Sequence, residues 1–491
     1  MEQVILIMYV LFMGFIFCYS LIQGHLVILY IKVLSRKKQQ KKISYNNVFE
    51  PNVTIQLPIF NEKFVIERLI DKISEIDYPK DKLEIQILDD STDETRTIVQ
   101  KKVELLKAQG FQITQFIRPK NTGFKAGALA EGMEVIKGEF IAIFDADFLP
   151  DKDFLSKTLS YFKDRNIGVV QTRWAHLNQN YSILTKLQAF GLDAHFTVEQ
   201  SGKNEGGYFI NFNGTAGIWR KSCIYDAGGW QSDTITEDLD LSYRAQIKGW
   251  GFKYLEEVGC PAELPVTMNA LKNQQFRWTK GAAETARKNI GRLIRAKNIN
   301  FMTKLHGVFH LLNSFLFVCI FITSILSVPV LYVKNTAPQF DWVYKFASIL
   351  LLSLFSLGTY YYISQRRLKS EHKQSRFIFL YQFPLFISVS MGLSLHNSIA
   401  VIEGYIGKKS PFVRTPKFNI TESGGSWKDK SQYLKSTFNT LTLMEIVMCF
   451  YAIFGIVTAF RLNDFGLLPF HCMLAIGFGY VAFFSYKHST A

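Results

Sequence analysis

The sequence has few cysteines, and none stands at a spacing typical of disulfide frameworks or zinc sites. Of its six cysteines in 491 residues, four lie inside apolar runs. This pattern predicts buried thiols that pack as small hydrophobic groups. The sequence also lacks a G-x-x-x-x-G-K-[ST] loop and a strand-linked G-x-G-x-x-G. It therefore contains neither the usual motif for ATP hydrolysis nor the usual motif for nicotinamide cofactor binding.

The chain is not short of positive charge, but it has no nucleic-acid-binding motif. Its formal net charge is +15, and the basic residues cluster beside apolar runs. There they would meet anionic lipid and set the orientation of membrane segments. We therefore expect a membrane lipid environment and no nucleic-acid partner. A hydrophobic content of 48% with 20% charged residues also excludes a disordered chain.

Long apolar runs flank a soluble middle of the chain. A bilayer crossing needs about 20 apolar residues. The candidate spans are Val4–Leu34, Val308–Val333, Trp342–Ile363, Leu441–Phe460 and Leu467–Tyr486. The first is too long for a cleaved signal peptide and lacks its basic start. Arg36, Lys37, Lys38, Lys41 and Lys42 follow it, so its C-terminal end is expected to face the cytoplasm.

A further run, Phe377–Ile402, is ambiguous. It is long enough to span, but Pro384, His396 and Asn397 interrupt it, and the loops on both sides are basic. A full crossing cannot place both loops in the cytoplasm. Either the segment is broken or re-entrant, or one basic loop lies outside. We favour the first, because irregular backbone is tolerated at membrane depth where it lines a cavity.

Residues 53–172 alternate between short apolar runs and helical stretches. The runs are Val53–Leu57, Glu84–Leu88, Gln112–Ile117, Phe140–Phe144 and Gly168–Gln171, and the helical stretches are Glu62–Ser74, Thr92–Lys107, Lys125–Ile136 and Lys152–Phe162. This alternation predicts a parallel sheet covered by helices. Ligands of such sheets bind beyond the carboxyl ends of the strands, where Asp89, Asp90, Asp145 and Asp147 fall.

Asp145 and Asp147 form a D-x-D pair directly after an apolar strand. A hard divalent cation that bridges phosphate oxygens needs oxygen ligands of this kind. One such pair is weak evidence by itself, because loop caps often contain one. Here the second acidic pair, Asp89 and Asp90, ends another strand, and the combination favours a cation site.

Two further motifs lie downstream, and the residues alone leave two interpretations of each. Thr236-Glu237-Asp238 precedes a predicted helix over Leu239–Lys248, which fits either helix capping or a general base for an attacking hydroxyl. Gln274-Gln275-Phe276-Arg277-Trp278 precedes the second apolar region. Its Trp and Arg fit either membrane-interface anchors or a sugar platform with a cation for a leaving pyrophosphate.

Together these motifs resemble the processive family-2 glycosyltransferases, which include cellulose, chitin and hyaluronan synthases. Longer strings resemble the cellulose synthase-like A and C groups most closely, that is, the mannan/glucomannan synthases and the xyloglucan-backbone glucan synthases. The strings are Gln86-Ile-Leu-Asp-Asp-Ser-Thr-Asp93, Gly123-Phe-Lys-Ala-Gly-Ala-Leu129, Ala142-Ile-Phe-Asp-Ala-Asp-Phe148, Phe212-Asn-Gly-Thr-Ala-Gly217 and Gln274–Trp278. The membrane portion matches only in layout.

The resemblance implies a GT-A nucleotide-sugar fold, an α/β domain with a Rossmann-like mixed sheet, inserted between transmembrane helices. It also assigns roles to the candidate site residues. The implied roles are nucleoside binding by Asp89 and Asp90; diphosphate binding by Lys125, Gln274 and Arg277; binding of Mg²⁺ or Mn²⁺ by Asp145 and Asp147; proton removal by Asp238 within Thr236-Glu237-Asp238; and acceptor binding by Trp278, Phe212, Asn213, Gly214 and Thr215.

The implied activity is that of a membrane-embedded, inverting, processive β-1,4-hexosyltransferase that polymerises glucose or mannose and translocates the product. UDP-glucose is the favoured donor, GDP-mannose is the other, and a growing polysaccharide is the acceptor. Transfer of one sugar to a membrane lipid is the alternative. An inactive scaffold is disfavoured by the intact set of acidic motifs.

The predicted organisation has four parts. They are a transmembrane helix over residues 1–35, a cytoplasmic catalytic domain over 36–290, an interfacial helix over 291–306 and a membrane bundle over 307–491. A basic cytoplasmic loop, 404–437, contains a stretch at 411–418 that loosely resembles the F-x-V-T-x-K gating loop of cellulose synthase. The bacterial inner membrane is the favoured compartment, because plant-like long tails are absent, and the Golgi membrane is the alternative.

Overall fold

The computed structural model of the protein describes residues 2–39, 49–347, 349, 352–368, 372–410, 413–422, 427 and 440–489. Some predicted features lie outside those residues. They are Lys41, Lys42, the first two residues of the predicted gating loop (411 and 412), and residues 423–426 and 428–437 of the predicted basic loop.

Seven strands form one mixed sheet. They are β1 (Val53–Ile59), β2 (Leu83–Asp89), β3 (Gln112–Ile117), β4 (Phe140–Ile143), β5 (Ile167–His176), β6 (Gly217–Arg220) and β7 (Gly251–Ala262). The order across the sheet is β3-β2-β1-β4-β6-β5-β7. Strand β1 is parallel to β2 and β4, with Ile55 opposite Ile85 and Ala142. Strand β6 is antiparallel to β4 and β5, so the sheet is not wholly parallel as the alternation over 53–172 alone predicted.

Apolar cores cover both faces of this sheet, so the central strands β1 and β4 are buried on both faces. Strand β4 shows the arrangement most clearly. Phe140 and Ala142 belong to one core, Ile141 and Ile143 belong to the other, and all four are fully buried. The polar residues that follow such a strand are therefore delivered to the edge of the sheet.

Eighteen α-helices occur in the described part of the chain. They are α1 (Glu2–Gln39), α2 (Ile66–Ser74), α3 (Thr95–Ala108), α4 (Phe124–Met133), α5 (Phe154–Leu159), α6 (Ile183–Ala194), α7 (Gln200–Gly206), α8 (Lys221–Asp226), α9 (Glu237–Ile247), α10 (Met268–Arg295), α11 (Phe301–Leu311), α12 (Phe315–Thr336), α13 (Asp341–Ala347), α14 (Leu352–Leu368), α15 (His372–Gly392), α16 (Ser394–Ile406), α17 (Thr440–Arg461) and α18 (Leu468–Lys487). A π-helical turn, His195–Glu199, joins α6 to α7.

Within the described residues, four helices are long and apolar enough to cross a membrane: α1, α12, α17 and α18. Helices α15 and α16 meet the same criterion only as a pair bent by 50°. This bend agrees with a broken segment over 377–402. The predicted span 342–363 falls instead on two shorter helices, α13 and α14. The predicted span from Val308 begins later, at Phe315, because a turn over residues 312–314 separates α11 from α12.

The α/β domain joins the helices that precede and follow it through α10 and through a buried carboxylate. Helix α10 runs to Arg295, so the predicted interfacial helix over 291–306 is in fact the end of α10, a break and the start of α11. Glu256 on β7 accepts hydrogen bonds from Tyr30 of α1 at 3.0 Å and from Arg367 of α14 at 2.8 Å. These contacts hold the sheet against α1 and α14.

Candidate active site

A cleft of about 310 Å³ opens at the carboxyl ends of β1, β4, β5 and β7. It lies beside the boundary between β1 and β4, where the strand order reverses, and open α/β sheets bind ligands at such a position. Most of the predicted site residues line this cleft. They are Asp90, Lys125, Asp145, Asp147, Asn213, Gly214, Thr236, Glu237, Asp238, Gln274, Arg277 and Trp278.

Three predicted residues do not line the cleft. Asp89 is fully buried, and its carboxylate accepts a hydrogen bond from Gln115 Nε2 at 2.7 Å. Phe212 is fully buried in the core, and Thr215 Oγ1 accepts the Asp145 N–H at 2.9 Å. Asp89 and Thr215 therefore support neighbouring ligand-binding loops, and the geometry does not support direct contact of these three residues with a ligand.

Each carboxylate of the D-x-D motif holds a lysine ammonium group. Asp145 Oδ1 lies 2.5 Å from Lys125 Nζ, and Asp147 Oδ2 lies 2.6 Å from Lys417 Nζ. In the described part of the chain, no cluster of three or more His, Cys, Asp or Glu residues could hold a metal ion. Two carboxylates fit a Mg²⁺ or Mn²⁺ ion that takes its remaining ligands from a diphosphate and water.

Asp238 lies beside Gly214 and Lys125 at the centre of the cleft. A methyl group on Gly214 would lie 3.1 Å from Asp238 Oδ2 and 3.5 Å from Lys125 Nζ, and the positive φ of Gly214 (+80°) also favours glycine. Burial, and then the negative charge of Glu237, raise the pKa of Asp238 to about 7. A carboxylate with a pKa near neutrality is suited to removing a proton from a hydroxyl.

Lys125 supplies a fixed positive charge between the D-x-D motif and Asp238. Its ammonium group donates to the Gly214 carbonyl oxygen at 2.8 Å as well as to Asp145. Burial lowers the pKa of Lys125, but the charges of Asp145, Glu237 and Asp238 outweigh burial and raise it. The lysine therefore stays charged where a diphosphate would bind.

Helix α10 presents Gln274, Arg277 and Trp278 on one face, because their spacing of three and four residues places them one above the other. The ring centroid of Trp278 lies 6.3 Å from that of Trp174, at the end of the cleft formed by β5. Two indole rings at this distance offer apolar surfaces of the kind that pack against a pyranose ring.

A segment formed by residues 413–419, which we call the cover segment, lies across the cleft. Its Lys417 contacts Asp147, and its Thr415 accepts a hydrogen bond from Arg277 Nη2 at 2.7 Å. Its Arg414 pairs with Glu62 through two hydrogen bonds of 2.9 and 2.6 Å. The cover segment includes most of the predicted gating loop and bonds to site residues on both sides of the cleft.

Sequence reasoning missed several residues of the site. Glu62 lies three residues beyond the end of β1, and Asp90 directly follows β2, so a search of the residues after each strand could have found Glu62. Arg118 forms a fork onto Asp90 with distances of 2.9 and 2.5 Å, but its partner lies on another strand and the sequence gives no signal. Trp174 lies in β5 three residues beyond the predicted run Gly168–Gln171, so nothing marked it as part of the cleft wall.

Comparison with known proteins agrees with this geometry. Residues 51–281 match the family described as "Glycosyltransferase like family 2". The protein is 36% identical to "Glucomannan 4-beta-mannosyltransferase 7" of Arabidopsis thaliana over 376 residues, which cover 72% of this chain and 66% of the relative. It is 33% identical to "Glucomannan 4-beta-mannosyltransferase 9" of the same plant over 454 residues, which cover 87% of this chain and 81% of the relative.

A solved structure shares the fold. The mannosyltransferase PcManGT from Pyrobaculum calidifontis, in complex with GDP-Man and Mn2+, matches with a TM-score of 0.53 and 18% identity, covering 81% of this chain and 100% of that chain. The GT-A fold with its mixed sheet, expected from the sequence, is confirmed. The chain belongs to the family-2 glycosyltransferases, and its curated relatives are the glucomannan 4-beta-mannosyltransferases of the cellulose synthase-like A group.

Proposed function

We propose that the protein transfers hexosyl groups from a nucleotide sugar to the end of a growing β-1,4-linked glycan, with inversion at the anomeric carbon. The observation that carries this proposal is that Asp238, Lys125, Asp145 and Trp278 line one cleft, with Lys125 next to both carboxylates. The sequence favoured UDP-glucose, but both relatives are named as mannosyltransferases, which moves the proposed donor to GDP-mannose.

In the proposed step, the acceptor hydroxyl oxygen bonds to the anomeric carbon of the donor while the bond from that carbon to the diphosphate oxygen breaks. The hydroxyl proton passes to Asp238, and the bonding electron pair leaves with the nucleoside diphosphate. One displacement turns an α-linked donor into a β-linked product. A second carboxylate acting as nucleophile, as in retaining glycosidases, is not required.

The charges around the cleft suit this step. Lys125 and Arg277 bring two cationic side chains to the side where negative charge develops on the leaving diphosphate. Asp145 and Asp147 would hold Mg²⁺ or Mn²⁺, and that ion would supply further neutralisation of the charge on the leaving group. Trp278 and Trp174 would hold the acceptor ring so that its hydroxyl faces Asp238, which lowers the entropic cost of the encounter.

The pH dependence of the reaction follows from the raised pKa of Asp238. The base must be ionised, so kcat/KM should rise about tenfold per pH unit up to about pH 7 and then level off. Initial rates at low donor concentration between pH 5 and 9 would measure this. A flat profile across that range would contradict the assignment of Asp238 as the titrating base.

Buried polar groups in the membrane portion support a proposed exit route for the product. Helix α16, which packs against α10, buries Ser394, His396, Asn397 and Ser398, and His396 Nε2 lies 2.9 Å from the Lys272 carbonyl oxygen. Buried polar side chains between membrane helices are costly and typical of pathways for polar substrates. We propose that the glycan leaves the cleft beyond Trp278, between these two helices.

We also propose that the catalytic domain faces the cytoplasm, because Arg36, Lys37 and Lys38 lie at the C-terminal end of α1. The relatives reported above are plant proteins, so they give no support to the bacterial inner membrane that the sequence favoured. Of the two compartments considered, the Golgi membrane is the one we propose.

The full-length protein, purified in lipid nanodiscs with Mn²⁺ or Mg²⁺, provides the test. We expect radiolabelled GDP-mannose to give an ethanol-insoluble polymer that endo-β-1,4-mannanase digests. A polymer from UDP-glucose that endo-β-1,4-glucanase digests would show that the donor is UDP-glucose, and the proposed type of reaction would stand. A single labelled sugar on lipid would show that the protein makes a glycolipid and not a polymer. Release of no nucleotide from any donor would contradict the proposal.

A further inference from the structure

Helix α9, which carries Asp238 in its first turn, begins without the local cap that its sequence suggests. Thr236 occupies the N-cap position, but its side chain makes no capping hydrogen bond to the helix. Its hydroxyl oxygen lies 3.2 Å from the Thr285 hydroxyl oxygen of α10 instead. The start of α9 is therefore held by a neighbouring helix rather than by its own first turn.

Two more contacts hold the same turn against α10. Glu284 Oε2 accepts the Ile235 N–H at 2.8 Å, which ties down the residue just before the N-cap. Gly281 lies so close that an added methyl group would come within 2.5 Å of Thr236 Cγ2. Residues 281, 284 and 285 are three and four positions apart, so they form one face of α10.

The end of the first turn of α9 is fixed to the same helix. Asp240 is fully buried, and its carboxylate accepts hydrogen bonds from Asn289 Nδ2 at 2.8 Å and Lys288 Nζ at 3.0 Å. Earlier turns of α10 carry Arg277 and Trp278. A single rigid helix thus sets the distance between the residues that flank the base and those proposed to bind diphosphate and acceptor.

We infer that Glu284 is a positioning residue: it fixes the turn before α9 so that Asp238 reaches the acceptor hydroxyl. This inference rests on the proposed function. Glu284 reaches this turn from α10, it is buried at 9% exposure, and it binds main chain, so it fixes the backbone itself. Lys288 of α10 also contacts the turn, but through the Asp233 side chain at 2.7 Å. A misplacement of about 1 Å at a reacting group can cost about 100-fold in rate.

Three variants of the full-length protein test the inference. Glu284→Ala should lower kcat roughly 10- to 100-fold and leave the KM for the nucleotide sugar within about threefold, because the diphosphate contacts are untouched. Glu284→Gln keeps an oxygen acceptor for the Ile235 N–H and should restore most of the rate. Arg292→Ala, an exposed residue also on α10, is the matched control and should behave as wild type.

Two further measurements separate positioning from general damage. In the background of Asp238→Asn, Glu284→Ala should cause no additional loss, since a residue that acts through the base is not additive with its removal. Hydrogen exchange of peptides covering residues 232–240 should speed up in Glu284→Ala but not in Glu284→Gln. This exchange readout is independent of catalysis, so it tests the contact even if the proposed sugar transfer fails.

Distinct results would overturn the inference. Unchanged exchange in Glu284→Ala would show that the hydrogen bond does not hold the turn. Faster exchange with wild-type turnover would show that the held turn does not place the base. Additive losses with Asp238→Asn, or a rise confined to the KM of the donor, would assign Glu284 a role unrelated to Asp238. Absence of transfer by the wild type would instead contradict the proposed function.

Discussion

Replacing Asp238 by Asn should lower kcat at least about 1000-fold, because an amide of the same shape cannot accept the proton of the attacking hydroxyl. The measurement is release of nucleoside diphosphate and of labelled polymer at saturating donor. Donor binding should stay within about threefold of wild type, because Lys125 and Arg277 remain in place. Full activity in the variant would remove Asp238 as the base.

The fold of this variant should be intact. The pKa of Asp238 in the folded protein, about 7, lies above its ordinary value, so the folded protein holds this proton more tightly than the unfolded chain. The contribution of this group to the free energy of unfolding is therefore lost as pH rises through about 7. The Asn side chain does not titrate, so the variant has no such loss. The variant should melt at or above the wild-type temperature at pH 8. Asp226→Asn, outside the cleft, is the matched control and should keep wild-type turnover.

Replacing Asp147 by Asn should lower kcat by roughly 100- to 1000-fold at fixed Mn²⁺, since loss of a few kcal/mol of charge stabilisation corresponds to that range. The physical reason is the loss of a hard anionic ligand beside the diphosphate. Titrating Mn²⁺ at saturating donor should show a higher apparent metal requirement. A variant with an unchanged metal requirement would contradict the assignment of Asp147 as a ligand.

Asp147 also binds Lys417 of the cover segment, so two controls are needed. Lys417→Ala removes that ion pair but keeps the carboxylate, and it should leave the apparent Mn²⁺ requirement unchanged or lower it. Asp151→Asn changes an exposed carboxylate near the same loop and should have no effect on either quantity. If Lys417→Ala reproduced the whole defect of the Asp147 variant, loss of the Lys417–Asp147 ion pair would explain that defect. The assignment of Asp147 as a metal ligand would then be contradicted.

Much of the fold was predictable from local patterns. Strands β1 to β4 lie within two residues of their predicted positions, because each is a short run rich in Ile, Val, Leu or Phe between polar turns. Strands β1, β2 and β4 are buried on both faces, whereas β3, at the edge of the sheet, is partly exposed. Strands β6 and β7 were not predicted, since β6 has only four residues and both belong to the sheet only through partners far along the chain. The four described helices that are long and apolar enough to cross a membrane followed from hydropathy, whereas no described helix within 342–363 meets that criterion.

The sequence by itself determined which chemistry is present: paired carboxylates after strands, a TED turn, and a Gln-x-x-Arg-Trp motif on a helix. Only the tertiary structure decided which of these residues share a cleft, because carboxyl ends of strands converge when a sheet forms. The tertiary structure buries Asp89 and Thr215 behind the residues that line the cleft, and it brings Trp174 and Arg414 to the cleft surface. Glu284 had no signal at all, because its partner is a main-chain N–H 49 residues away, and hydrogen bonds to backbone leave no pattern in side-chain type.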